Sequence, residues 1–218
     1  MGGDGIPDRS VFTRAERSLV ERLRTPRAVQ RWLCSLPYNW EKGGETLRSF
    51  RGVVRLGTAH CLEAALAAAV ILEQHGFPPL LLSFESQDSL DHVLFVFRQD
   101  GRWGSVARSR DPGLHGRKPV FRGPRELAAS YRDAYVDLSG RVTAYTVADL
   151  RELGGYDWRL SSFNVRKVER WLVDYPHRPL PMPEALYRRA LERYKRFRAR
   201  FPDPSVRPAY FDGQEAWL

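Results

Sequence analysis

One cysteine near the start of a long apolar segment is the side chain best placed in this sequence to act as a nucleophile. Cys61 lies in the stretch Gly57–Gly76, which is apolar along most of its length. Thr58 is a suitable N-cap and Gly76 suits the residue after the last turn, so the stretch predicts a buried helix. The helix dipole and unpaired N–H groups of a first turn lower a thiol pKa. Cys61 is therefore a candidate nucleophile, although simple packing is the commoner fate of a free cysteine.

A cysteine nucleophile also needs a histidine base held on a separate element. The five histidines are His60, His75, His92, His115 and His177. On a helix, His60 would point about 100° away from its neighbour Cys61, and His75 would lie about 20 Å along the same helix. His115 and His177 fall in predicted loops, whereas His92 opens a strand. His92 is therefore the predicted base, and the backbone N–H groups at the helix start, including that of Cys61, are the predicted oxyanion donors.

The segments after the helix predict a small antiparallel sheet. Apolar runs over residues 80–84 and 92–97 read as strands, and Asp100-Gly101 is a hairpin turn signal before a third strand over residues 103–108. Pairing about that turn places residue 99 opposite 102 and residue 97 opposite 104. Continued to the strand end, the same register places Ser109 opposite His92.

The order of these features resembles the transglutaminase-like superfamily, within the papain-like cysteine protease fold. The resemblance covers about residues 56–109, half of the chain or less. The motifs at residues 36–41, 60–65, 91–93 and 101–104 also look like a bacterial group of uncharacterised transglutaminase-like proteins. That group's name records similarity and not a known reaction.

The resemblance implies a catalytic aspartate late in the third strand, which would orient the histidine. Counted along the hairpin, that position is Ala107, so the sequence departs from the pattern there. Ser109 is the candidate that remains from the register, since its hydroxyl can hydrogen-bond an imidazole without supplying charge. Asp91, as a strand residue, would point to the opposite face from His92. Asp111 is close enough in sequence for the loop after the third strand to bring it near His92.

These residues support a cysteine-dependent acyl transferase or amide or peptide hydrolase with catalytic residues Cys61, His92 and Ser109. We expect a peptide, protein or small amide substrate and no cofactor. The alternative is a catalytically inactive transglutaminase-like binding or scaffolding protein, which the missing aspartate favours. A metal site is disfavoured, because His60-Cys61 has no second ligand pair at zinc spacing.

Composition bounds the remaining function classes. The net charge is +9, and only four of the 35 basic residues are lysine. This excess favours a coding bias toward arginine over nucleic-acid binding, for which no motif is present. No apolar run reaches transmembrane length, and the N-terminal residues lack a signal-peptide pattern, so we expect no membrane partner and a cytoplasmic protein with reduced thiols.

The chain is expected to form a single domain over residues 1–218 with an α+β fold. In that fold the Cys61 helix packs on the small antiparallel sheet, and helices precede and follow it. Residues 1–12 are expected to be loose, residues 56–109 to form the core that carries the site, and residues 123–218 to be mostly helical.

Outside the Cys61 helix, helices are predicted over residues 12–23, 26–36, 124–135 and 162–175 and from Pro183. A short helix is predicted from Thr146, and a further strand over residues 142–147. Cys34 is assigned to packing, and the loop aromatics Tyr38 and Trp40 to a cleft wall or to pinning the loop on the core.

Overall fold

A five-stranded antiparallel sheet forms the centre of the computed structural model, which describes residues 5–88, 92–208 and 217. The strands are β1 (Leu80–Ser86), β2 (Val93–Gln99), β3 (Arg102–Val106), β4 (Val142–Asp149) and β5 (Arg178–Pro179). Their order across the sheet is β3-β2-β1-β4-β5. The helices are α1 (Arg14–Arg22), α2 (Pro26–Ser35), α3 (Phe50–Leu56), α4 (Cys61–Glu73), α5 (Pro124–Ala129), α6 (Arg132–Tyr135), α7 (Arg166–Asp174) and α8 (Glu184–Arg200).

The helix that carries Cys61 is the best-buried element of the described structure. Every residue of α4 from Leu62 to Glu73 is buried, because the helix packs on β2 and is also covered by α2 and α3. An apolar helix surface on all sides is stable only in such a position. The predicted α+β fold, with a central cysteine-bearing helix on a small antiparallel sheet, is therefore confirmed.

Both faces of the sheet are covered, as the side chains of β2 show. Phe95 and Phe97 belong to the apolar cluster around α4, whereas Leu94 and Val96 belong to a second cluster that includes Tyr131. Because successive side chains of a strand point to opposite faces, a continuous apolar run such as that of β2 needs a layer on each side. The second layer is supplied by residues that follow β3 in the chain.

The β2–β3 hairpin has the predicted register. Gln99 is paired with Arg102 and Phe97 with Gly104, around a turn in which Asp100 and Gly101 both have positive φ angles of 49° and 76°. Two left-handed residues are what a two-residue hairpin turn requires. Strand β3 ends at Val106, however, so the pairing does not extend to Ser109.

The C-terminal part of the chain contributes more strand than predicted. Residues 123–218 were expected to be mostly helical, but β4 pairs with β1 along its whole length and occupies an interior place in the sheet. The helix predicted from Thr146 is wrong, because β4 continues to Asp149. The Asp149 carboxylate then caps a short 3-10 turn, Leu150–Leu153. The helix predicted over residues 124–135 is divided into α5 and α6.

Two further segments differ from expectation at the N-terminal side. The described part of residues 1–12, predicted to be loose, makes specific contacts: Gln74 donates to the carbonyl of Pro7 at 2.7 Å, and Phe12 is buried. Helix α3 begins after Ser49, whose hydroxyl accepts from Gly52, in a region whose mixed pattern predicted no definite element. Within the described residues, no helix combines the length and apolar character needed to cross a membrane.

Candidate active site

Cys61 is the first residue of α4, and the residue before it, His60, is the N-cap. Thr58 was predicted to be the cap, but its hydroxyl accepts instead from the Arg48 guanidinium at 2.7 Å. The chain cannot turn into a helix at Thr58 because Ala59 is held in extended pairing with Tyr38. The other end follows the prediction, since Gly76 has a φ of 84° and closes the helix.

The Cys61 thiol lines one cleft together with the side chains of His92 and His60. Burial alone would raise its pKa, but the two neighbouring histidines outweigh burial and lower the pKa to about 5. At neutral pH the side chain is therefore a thiolate, which is the nucleophilic form of cysteine.

His92 is buried, with 4% of its surface exposed, and its orientation is fixed by the main chain. Its Nε2 atom lies 2.9 Å from the carbonyl oxygen of Leu114. A carbonyl oxygen only accepts hydrogen bonds, so Nε2 carries the proton. Nδ1 is then the ring atom left to exchange a proton with the Cys61 sulfur.

Leu114, and not Ser109 or Ala107, provides the contact that orients His92. The Ser109 hydroxyl accepts from the backbone N–H of Asp111 at 3.1 Å and forms no hydrogen bond to the imidazole in the described structure.

Ser109 was predicted from a continued β2–β3 register, which stops at Val106. It stops because the Gln30 side chain accepts from the Ala107 N–H at 2.9 Å and donates to the Ala107 carbonyl at 2.8 Å.

The two aspartates considered from the sequence take no part in the described contacts of His92. Asp91 lies outside the described residues. The Asp111 carboxylate faces two guanidinium groups, those of Arg110 at 3.5 Å and Arg207 at 3.8 Å. Asp111 therefore belongs to the charged wall of the cleft.

The prediction that His60 is a poor partner for Cys61 is wrong. The 100° spacing between neighbours applies inside a helix, whereas His60 has the extended φ and ψ angles of −90° and −176° of an N-cap residue. Its ring therefore lies beside the sulfur of the residue that follows. Its Nε2 atom is 3.1 Å from the carbonyl oxygen of Thr46.

Glu63 is a buried carboxylate in the first turn of α4 that joins the helix start to the loop before it. Its donors are the backbone N–H groups of His60 (3.1 Å) and Arg48 (3.0 Å), the Asn39 amide (3.0 Å) and the Thr46 hydroxyl (2.9 Å). We did not predict this role. The signal was available, because a glutamate at the third helical position is half of a capping box.

The second cysteine has the opposite electrostatic environment. The Cys34 sulfur is 3.5 Å from Nδ1 of His115 and accepts from Gln30 at 3.1 Å. Burial raises the pKa of the Cys34 thiol and lowers that of His115 to about 4. Both side chains are therefore neutral at pH 7, and the packing role predicted for Cys34 fits these contacts.

Cys61 and His92 open onto a cleft of about 590 Å³. Tyr38 and Trp40 form one wall, with ring centroids 5.0 Å apart in an edge-to-face arrangement, as the cleft prediction expected. Much of the remaining cleft lining consists of charged side chains: Glu41, Glu45, Glu85, Asp88, Arg110, Asp111, Asp137, Arg166, Glu169 and Arg207. In the described ranges no group of three or more His, Cys, Asp or Glu residues is arranged to hold a metal ion.

Comparison with known proteins gives only distant structural likenesses. No protein-family model matches the chain, and no curated protein matches it. Among solved structures, Legionella pneumophila LapG is similar, with 12% identity and a TM-score of 0.38 over 68% of this chain and 88% of LapG. EGTA-treated LapG has 12% identity and a TM-score of 0.37 over 68% and 90%. Both TM-scores are below 0.5, so neither likeness assigns a function to this chain.

Proposed function

We propose that this protein is a cysteine-dependent acyl transferase or amide hydrolase of transglutaminase-like type. One observation carries the proposal: Cys61, at the first position of α4, lines the same cleft as His92, and the Leu114 carbonyl fixes Nε2 of the His92 ring. A nucleophile, a base and a group that orients the base are the three parts of a covalent acyl-transfer site.

In the first half-reaction, the Cys61 thiolate attacks the carbonyl carbon of an amide. The sulfur–carbon bond forms, and the carbonyl oxygen takes up negative charge. The backbone N–H of Cys61, at the helix start where no intrahelical acceptor exists, is placed to stabilise that oxyanion. The carbon–nitrogen bond then breaks, and the leaving amine takes a proton from His92.

In the second half-reaction, water or an acceptor amine attacks the thioester. His92 removes a proton from the attacking molecule, the sulfur–carbon bond breaks, and Cys61 returns to thiolate. With water the product is a carboxylic acid, and with an amine it is a new amide. The atoms balance without a cofactor, and a reducing compartment such as the cytoplasm keeps the thiol available.

The cleft walls support a peptide, protein or small amide as the substrate. Trp40 is 52% exposed beside the half-buried Tyr38, and such a pair suits contact with an extended chain. The volume of the cleft is in the range of a site for a small ligand or a few residues of a peptide.

The first test compares the two cysteines within one molecule. At pH 6, a thiol with a pKa of about 5 is mostly thiolate, whereas Cys34 is almost entirely protonated. We expect iodoacetamide to alkylate Cys61 about 100-fold faster than Cys34 or more, measured by mass spectrometry of the two peptides. The His92→Gln variant should reduce the Cys61 rate and leave the Cys34 rate unchanged. Equal rates for the two cysteines would falsify the proposal.

The second test detects the covalent intermediate with an activated ester, p-nitrophenyl acetate. Cys61 should gain one acetyl group that hydroxylamine removes, as a thioester requires, and Cys61→Ser should gain none at this position. With His92→Gln, acetylation should slow and release to water should slow further, because the second half-reaction needs the base as well.

An inactive binding protein is the second candidate, and one observation favours it. The group that orients His92 is an uncharged carbonyl, which stabilises an imidazolium less than a carboxylate does. This candidate predicts that Cys61 is acetylated once and that the acetyl group is not released to water. One equivalent of nitrophenol per protein with no further turnover would therefore indicate the binding protein, and continued release would indicate the enzyme.

A further inference from the structure

The second histidine at the site, His60, is surrounded by oxygen atoms on one side and by the Cys61 sulfur on the other. Its Nε2 atom is 3.1 Å from the Thr46 carbonyl oxygen and 3.6 Å from Oε1 of Glu63. Oε1 of Glu41 lies at 4.0 Å. Three acceptors around one ring nitrogen hold a proton on it. The same ring belongs to the residue that directly precedes Cys61, and both residues line the cleft.

We propose that His60 is a positioning residue that stays an imidazolium through the reaction and holds Cys61 as a thiolate, while His92 alone carries the proton back and forth. This inference rests on the proposed function. It divides the two tasks that one histidine performs in a simple Cys–His pair. The contacts distinguish the two rings: His92 faces a neutral carbonyl, whereas His60 faces two carboxylates.

The charged groups around His60 come from three elements. From α4 itself come the buried Glu63 and the Cys61 sulfur, and from the loop after Tyr38 comes Glu41. Arg48, in the segment before α3, lies 3.7 Å from Glu63 and partly offsets its charge. His92, from the start of β2, also acts on the sulfur. The carboxylates and the thiolate together favour the cationic form of His60 more than Arg48 and burial oppose it.

This arrangement compensates for the missing carboxylate beside His92. After His92 has lost its proton to the leaving amine, Cys61 is a thioester, and the charge of His60 is still in place to stabilise the thiolate that forms when the thioester breaks. His92 can then be a neutral base for the second half-reaction without raising the pKa of the Cys61 leaving group. The role requires charge as well as a hydrogen bond, so glutamine in place of His60 should not fulfil it.

The test is the pH dependence of the Cys61 alkylation rate by iodoacetamide, in the full-length protein. We expect a wild-type midpoint near pH 5. His60→Gln should raise that midpoint by about one pH unit or more, since an adjacent opposite charge shifts a pKa by this much. The matched control is His75→Gln, near the other end of α4, where Nε2 contacts the Val20 carbonyl at 2.7 Å; its midpoint should not move.

A second measurement does not depend on the folding of His60→Gln. Nitrogen-15 NMR of labelled histidines, assigned through the backbone, should show His60 protonated on both nitrogens at pH 7.5 and titrating at about pH 9. In Cys61→Ser, the His60 midpoint should fall by about one unit or more. A neutral His60 at pH 7.5 overturns the proposal, and so does an unchanged alkylation midpoint in a folded His60→Gln variant. If wild-type Cys61 reacts no faster than Cys34, the proposed function itself has failed.

Discussion

The Nε2 atom of His92 lies 2.9 Å from the carbonyl oxygen of Leu114, a residue of the short 3-10 turn Pro112–Leu114. A side-chain carboxylate is therefore not needed to fix the ring. The precision of this contact depends on the path of the chain after β3, because a backbone oxygen cannot be moved independently of its neighbours. Residues that hold this turn are consequently as important to the site as residues that touch the substrate.

Aspartate at position 107, where the transglutaminase-like pattern expects it, should not improve the site. Ala107 is fully buried and belongs to the apolar cluster that includes Leu82 and Leu94. A carboxylate there would be buried among apolar side chains, so Ala107→Asp should lower the free energy of unfolding by about 3 kcal/mol or more. Urea unfolding measures this, with Ala107→Ser as the milder control at about 1 kcal/mol. A stable Ala107→Asp variant with faster Cys61 acetylation would contradict the expectation.

Arg117 lies outside the cleft, but its side chain holds the turn Pro112–Leu114, which carries the carbonyl group that contacts His92. Its buried guanidinium donates to the carbonyl oxygens of Gly113 (2.7 Å) and His115 (2.8 Å), which flank Leu114, and lies 4.1 Å from the Tyr131 ring centroid. Lysine cannot reproduce this planar fork. Arg117→Lys should lower the free energy of unfolding by about 2 to 4 kcal/mol and slow Cys61 acetylation about 10-fold.

The control for Arg117→Lys is the same substitution at Arg122. That side chain is exposed, and its ion pair with Glu126 at 3.4 Å is a surface contact within one short segment. Arg122→Lys should change the stability by less than about 0.5 kcal/mol and leave acetylation unchanged. Equal effects of the two substitutions would show that Arg117 does not act through the turn.

The pattern of the sequence predicted the parts of the site that depend on local rules. The Asp100-Gly101 turn determines the hairpin register, and the apolar stretch that ends at Gly76 predicts a buried helix with Cys61 in its first turn. These are properties of neighbouring residues. The pairing of Cys61 with His92 was predicted from the order of the elements, and the two residues line the same cleft.

The remaining parts of the site depend on contacts between residues far apart in the chain. Gln30 ends the β3 pairing from 77 positions away, and this displaces Ser109 from the place opposite His92. Glu63 binds a loop whose course has no periodic pattern. No local rule gives the path of residues 109–117, so the Leu114 carbonyl could not be predicted as the orienting group.

The partly buried histidine His115 should make the protein less stable in mild acid. Its pKa is lowered to about 4 by burial and, to a smaller extent, by the charge of Arg108, whereas an unfolded histidine titrates near 6.5. Between these values the unfolded chain binds more protons, so the free energy of unfolding decreases as the pH falls from 6.5 to 4. The contribution is up to about 3 kcal/mol, and His115→Gln should flatten the stability curve in this window, as measured by urea unfolding at several pH values. A curve that stays equally steep would assign the acid sensitivity to other groups.

Glu63 and Glu73 are two buried carboxylates on the same helix, and only the first should affect chemistry. Glu63 contacts the N-cap His60 and the loop before it, whereas Glu73, at the other end, forms hydrogen bonds of 2.7 and 3.0 Å with Arg159. Glutamine at either position leaves a buried donor without its acceptor, so each variant should lose about 3 kcal/mol of stability.

The two variants should differ in the reactivity of Cys61. Glu63→Gln removes a carboxylate 3.6 Å from His60 Nε2, which lowers the pKa of His60 and thereby raises that of Cys61. Its Cys61 alkylation rate at pH 5, near the wild-type midpoint, should fall about 2- to 5-fold, while Glu73→Gln should keep the wild-type rate. Mass spectrometry of the Cys61 peptide at a temperature where both variants are folded measures the difference. Equal rates in the two variants would mean that Glu63 supports the helix start mechanically and has no electrostatic effect on the sulfur.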